Sequence, residues 1–187
     1  MKNLLIFILA AFISLPSIAQ EPEKKLTRKE KRELKKAEEA ALSEAMSKIL
    51  AVAIDSAQWV IEAHTLADKR GSSIPVNSNL NFIAIEGKEA FVQLGSNSGL
   101  GPNGVGGVSV RANISKYEVK KNEKKGTYFI TVYATSAIGS FDIRIDTNAD
   151  GQIASATVQG NSSSRVRYSG QLVPVSHSTV YKGTPLF

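Results

Sequence analysis

Val108-Ser109-Val110-Arg111-Ala112-Asn113-Ile114 and Phe141-Asp142-Ile143-Arg144-Ile145-Asp146 decide the fold. In both, apolar and polar residues alternate with period two, the pattern of a strand that turns one face to a core and the other to water. The first segment is expected to run to Val119. Working outward, the same signal recurs between turn signals: Trp59 to His64, a short piece around Ile74-Pro75-Val76, Asn79 to Ile85, Ala90 to Leu94, Thr127 to Tyr133, Ile153 to Val158, Arg165 to Ser169 and Gln171 to Val175. Hairpin-length connections such as Glu86-Gly87-Lys88 and the charged tip Lys120 to Gly126 separate them. About eight short strands joined in this way predict an antiparallel sheet that curls or closes into a barrel. The fold class is therefore α+β, mainly β, because one helix precedes the strands.

That helix starts near Thr27, where Thr27-Arg28-Lys29-Glu30 fits a capping box. Leu34, Ala37, Ala41, Ala45, Ile49 and Val52 then step by three and four along one face, and the apolar face widens after Leu42. The early turns are expected to meet solvent or a partner and the later turns to pack, with the end near Asp55-Ser56. From Glu21 to Glu39 eight basic and six acidic residues are interleaved, so the segment compensates itself rather than presenting a phosphate-binding patch. No nucleic-acid partner is expected. A solvated helix is favoured, with a coiled-coil or membrane-surface contact left open.

Ahead of it, Lys2 precedes an apolar run from Leu4 to Leu15, and Ser17-Ile18-Ala19 presents small residues to a signal peptidase. Cleavage after Ala19 and export to the periplasm or medium are expected. The run is shorter than the roughly 20 residues that span a bilayer, so no transmembrane segment is expected after cleavage. The organisation is thus a leader at 1–19, a charged segment and helix at 20–57, and an antiparallel β-domain at 58–187. With 187 residues, 42% hydrophobic, and no cysteine, the chain must rely on its core rather than on disulfides. Thiolate metal sites and cysteine nucleophiles are excluded.

Val60-Ile61-Glu62-Ala63, Val76-Asn77-Ser78, Asn81-Phe82-Ile83, Val92-Gln93-Leu94, the loop Gly101-Pro102-Asn103-Gly104-Val105-Gly106-Gly107, and Arg167-Tyr168-Ser169-Gly170 follow one another in an order that resembles the bacterial exported family called domain of unknown function 4251. The loop is the distinctive part. The resemblance implies a signal peptide, an N-terminal helix and a β-rich domain, and it implies no activity and no catalytic residue.

Two motifs invite chemistry. Six of fourteen glycines fall between Gly95 and Gly107, and Gly99-x-Gly101-x-x-Gly104 formally matches a dinucleotide fingerprint. A strand follows where a helix N-terminus is needed, and Pro102 removes an amide. The segment is read as a long connection, with Gly101, Pro102, Asn103, Gly104, Gly106 and Gly107 as a candidate binding loop. Asp146, Asn148 and Asp150, followed by Gly151, match the first half of a calcium loop, but Thr157 stands where a bidentate Glu should close it. A hairpin turn is the favoured reading, with these three as a weak calcium candidate. His64 and His177 lie in unlike contexts, and Glu62, Glu86, Glu89 and Asp142 sit on different strands, so neither set defines a metal or acid–base site.

The expected function is non-enzymatic, with no cofactor and no metal. A small apolar or amphipathic ligand, or a protein partner, would bind in or at the mouth of the curled sheet, whose inward residues are drawn from Trp59, Ile61, Phe82, Phe91, Val110, Ile130, Val132, Phe141, Ile143 and Tyr168. The alternative is a structural or assembly protein of the cell envelope that docks through its helix.

Overall fold

The structure, a computed structural model, describes residues 26–96, 103–161 and 165–186. The leader and its site at Ala19 lie outside them, as do Gly101 and Pro102 of the glycine-rich loop. By its contacts the chain divides between Glu38 and Glu39, so the helix begins in one unit and ends in the other.

Helix α1 spans Arg28–Asp55. Its start is the capping box: the Thr27 N–H donates to Glu30 Oε2 at 2.7 Å, and the Glu30 N–H donates to Thr27 Oγ1 at 3.3 Å. The backbone bond to Thr27 holds the Glu30 carboxyl below its usual range. Ala57, at φ 53°, turns the chain out of the helix into the first strand, and its carbonyl accepts from the Gly87 N–H at 2.8 Å.

Nine strands follow: β1 (Gln58–Ala67), β2 (Ser73–Pro75), β3 (Phe82–Glu86), β4 (Glu89–Gly95), β5 (Gly107–Asn122), β6 (Thr127–Ser136), β7 (Gly139–Thr147), β8 (Ala154–Gly160) and β9 (Arg165–Pro174), then a single 3-10 turn at Val175–His177. Consecutive strands from β3 to β9 are antiparallel neighbours, and β9 pairs with β1, which pairs with β3. Eight strands thus close a barrel, while β2 adds a short extra strand to the far half of β1. The two segments expected around Gly170 are one continuous strand, β9.

Two bulges keep long strands in phase. In β5, Ile114 pairs with Ala134 and Lys116 with Tyr133, leaving Ser115 as the extra residue. Ile114 before it and Tyr117 and Val119 after it all pack on the core, which strict alternation would not allow. In β1 the extra residue is His64, and Gly170 of β9 lies opposite the bulge. A Cβ there would sit 2.0 Å from the Glu62 carbonyl oxygen.

Trp59, Ile61, Ile83, Ile130, Val132, Ile143, Ile145, Tyr168 and Leu172 fill the interior in one contiguous buried cluster. The last turns of α1 close one end: Leu50 and Ile54 are fully buried in the same cluster. Trp59 Nε1 donates to Tyr117 Oη at 2.9 Å, and the Tyr117 hydroxyl donates to the Ile54 carbonyl at 2.7 Å, tying strand to helix. Burial pushes this phenol up to about 12, against the smaller, opposite effect of the Trp59 N–H.

Phe82 and Phe91 are not inward residues. They stack on the outer face with centroids 5.8 Å apart and join Val60 and Ala84 in a second buried cluster. Val173, Val175 and Val180 cover it, so β1, β3 and β4 carry buried residues on both faces. Their apolar runs are continuous for that reason, and continuous runs hide the inward phase.

Candidate functional site

The described part of the glycine-rich loop anchors the C-terminal segment. Asn103 is fully buried: its Nδ2 donates to Ser109 Oγ at 3.1 Å, its Oδ1 accepts from the Val105 N–H at 3.2 Å, and its carbonyl accepts from the Thr184 N–H at 3.0 Å. Ser109 Oγ donates in turn to Gln93 Oε1 at 3.0 Å, which also accepts from the Gly183 N–H at 2.8 Å. Gln93 Nε2 donates to the carbonyls of Leu80 and Tyr181. Gly107, at φ 146°, sits where a Cβ would lie 2.0 Å from the Leu94 carbonyl oxygen, so no larger residue fits this crossing. In the sequence Gln93 enters only through Val92-Gln93-Leu94 of the family resemblance; nothing in its spacing points to the tail it holds.

Asn148 and Asp150 accept hydrogen bonds within their turn and from the helix, while Asp146 stands apart on the strand. Asp146 is an exposed strand residue opposite Ser155. Asn148 Oδ1 accepts from the Ile153 N–H at 3.0 Å, Asp150 Oδ1 from the Gln152 N–H at 3.2 Å, and Asp150 Oδ2 from the Ser43 hydroxyl of α1 at 2.6 Å. These are the bonds of a turn docked to the helix, with Gly151 at φ 76° pressed against the Leu172 carbonyl. Among the described residues no three His, Asp or Glu side chains are grouped to hold a metal ion. Glu62 is buried, accepting at 2.7 Å from the Ser178 hydroxyl and at 2.9 Å from Gln171 Nε2. Glu86 faces Glu89 across the β3–β4 hairpin and is paired with Lys182.

The feature that sequence reasoning did not reach is a breach in the barrel wall. β5 pairs with β4 from Gly107 to Asn113 but with β6 only from Asn113 onward, because β6 turns into β7 after Ser136. Residues 107–112 therefore have β4 on one edge and, among the described residues, no strand on the other. The bond from the Ile114 N–H to the Lys88 carbonyl at 2.8 Å sets the phase: even-numbered residues exchange bonds with β4, and odd-numbered ones point to the free edge. On that edge the Ser109 carbonyl accepts from the Leu186 N–H at 3.0 Å, and the main-chain groups of Arg111 come next.

A groove of about 500 Å³ opens there, lined by Arg111, Ala112, Asn113, Thr135, Ser136, Ala137 and Pro185. Ala112 belongs to the inner face, and Ser136 shares the phase of inward Ala134, whereas Arg111, Asn113 and Thr135 belong to the outer face. Among the described residues, the lining therefore draws on both faces of the sheet. Half-buried Leu66, Leu94, Phe141, Val158 and Val166 pack against the core at the strand ends remote from Ile54 and Trp59. A second groove of about 310 Å³ runs beside it past Ser115, Tyr133, Ser140 and Asn161. Chemically the groove offers an exposed guanidinium, an amide and two hydroxyls beside the apolar Ala112, Ala137 and Pro185.

A closed eight-stranded antiparallel barrel with a helical plug is the class of domain these elements define. Residues 41–172 match the family model described as Domain of unknown function (DUF4251), and the chain belongs to that family. It is similar to the crystal structure of a DUF4251 family protein from Bacteroides eggerthii DSM 20697, with 26% identity and a TM-score of 0.60, over 72% of this chain and 91% of that one. No curated protein matches the chain.

Proposed function

We propose that this is an exported, non-enzymatic binding domain that holds a small amphipathic ligand in the breach beside Arg111, its apolar part toward Leu94 and Phe141 and its polar or anionic head at the rim. The observation that carries the reading is the groove of about 500 Å³ lined from both faces of the sheet; ligand sites are concave, mainly apolar and edged by a few placed polar groups. The deeper interior is filled by Trp59, Tyr168 and their neighbours, which favours the mouth over the centre. The non-enzymatic reading is supported by the partners of Glu62 and Asp150, whose carboxylates are committed to the protein's own donors. Export rests on the leader pattern at 1–19.

Titration with the anionic naphthalene dye 1-anilinonaphthalene-8-sulfonate, beside native mass spectrometry of freshly purified protein, tests the site. Arg111→Glu is expected to weaken dye binding at least tenfold with melting unchanged, and Ser136→Trp, which also removes the turn bonds of the Ser136 hydroxyl, to abolish it. Equal binding by both variants and no co-purified mass would end the reading.

A further inference from the structure

The exposed face of α1 carries a seam that fits a second copy of itself. Lys31, Leu34, Glu38, Ala41, Ala45, Lys48, Val52 and Asp55 follow one another at spacings of three and four, the repeat of a helix-pairing seam, and every one of them is exposed. Leu42 and Ile49 flank the seam and are exposed too. The helix uses its other side for its own domain, through Ser43 bonded to Asp150 and the buried Leu50 and Ile54.

We propose that two copies pair through this seam, antiparallel, with Ala41 of one helix against Ala45 of the other. In that register Leu34 meets Val52, Glu38 meets Lys48 and Lys31 meets Asp55, each pair occurring twice by symmetry. Every layer is then apolar on apolar or acid on base. A parallel pair would instead set Lys31, Glu38, Lys48 and Asp55 each against itself, which is four layers of like charge. The two alanines let the backbones approach closely at the centre. The whole helix repeats this polarity: Arg28 to Lys36 carries six basic and two acidic residues, while Ala37 to Asp55 carries four acidic residues and one basic. Lys48 is already bonded to Glu44 at 2.7 Å, but both are largely exposed, and such a pair exchanges readily for a new partner. The seam uses none of the residues of the Arg111 groove, so either proposal can fail alone.

The chain has no cysteine, so engineered thiols report the register without background. In protein purified as the cell processes it, the double variant Leu34→Cys/Val52→Cys is expected to give a disulfide-linked dimer on mild oxidation, and Leu34→Cys alone none. Sedimentation of the unmodified protein across a concentration series should show a monomer–dimer equilibrium. Glu38→Lys should weaken it at least tenfold, and Glu38→Lys/Lys48→Glu should restore it. All these substitutions are on exposed positions, and unchanged melting confirms folding. Cross-linking through Leu34→Cys alone, charge reversal without effect, a monomer at every concentration, or binding to anionic vesicles in place of self-association would each overturn the proposal.

Discussion

Tyr117 illustrates how one residue ties sequence to stability. Its hydroxyl accepts from Trp59 and donates to the carbonyl of Ile54, so Tyr117→Phe strands both partners inside the barrel. An orphaned buried group costs about 1–3 kcal/mol, which urea denaturation would read as a lower midpoint at unchanged slope. The same residue makes stability fall in alkali. An unfolded tyrosine ionises near 10, and in the fold burial pushes Tyr117 up to about 12. The folded state thus holds the proton more tightly; its advantage is complete below pH about 10 and is lost as pH rises toward 12. Burial pushes Tyr168 up still further, in the same direction. Melting temperature should therefore decline from pH 10 to 12, and Tyr117→Phe should make that decline shallower. Strict alternation from Val108 to Ile114 would have placed Lys116 and Glu118 inside and Tyr117 outside. The unpaired Ser115 reverses that, and a bulge leaves no periodic trace in one sequence.

At the scale of elements, the C-terminal segment behaves as a clasp. Val173, Val175 and Val180 cover Phe82 and Phe91, Gln93 and Asn103 hold Tyr181, Gly183 and Thr184 through the main chain, and Glu62 holds Ser178. Ending the chain after His177 would remove Val180 from the cover of the stacked pair, leaving Val173 and Val175, and would leave Gln93, Ser109 and Asn103 short of partners. Each buried polar group left without its partner costs about 1–3 kcal/mol, so the truncated protein should melt several degrees lower. Unchanged melting would show that the clasp contributes nothing. The direction of Phe82 and Phe91 was misread because both faces of these strands are buried: Phe82-Ile83-Ala84-Ile85 has no polar residue to mark the outside. Where one face meets water, as in Phe141 to Ile145, the inward set was legible from the sequence, and it is the observed one.

In the whole molecule, α1 joins the core only through its later turns, and the sequence already marks that change where the apolar face widens after Leu42. The closure of the barrel was not legible in the same way. It depends on β1 pairing with β9, from Trp59 with Pro174 to Ala67 with Arg167, and pairings so distant in sequence leave no local pattern. The breach beside Arg111 was hidden for the same reason, since it exists only because β6 ends sooner than β5 begins. The division of the helix has a direct consequence. Residues 28–38 have no buried side chain, whereas Leu50, Ala53 and Ile54 belong to the barrel core. A chain begun at Glu39 should therefore unfold in one cooperative transition, at the midpoint that the full protein shows when both are dilute enough to be monomeric. One begun at Gln58 should fail to fold cooperatively, because it opens the plugged end and removes a partner of Tyr117. Leu50→Ala in the full chain gives the graded version, at about 2–5 kcal/mol for a buried leucine that leaves a cavity. If the chain begun at Gln58 melted like the full protein, the helix would be an appendage. If the chain begun at Glu39 lost stability at a concentration where both are monomeric, the exposed turns would have to contribute to the barrel through contacts that their exposure does not support. Far-ultraviolet and near-ultraviolet circular dichroism on the three chains distinguishes these outcomes, since only the near-ultraviolet signal reports the fixed packing of Trp59 against Tyr117 and the helix end.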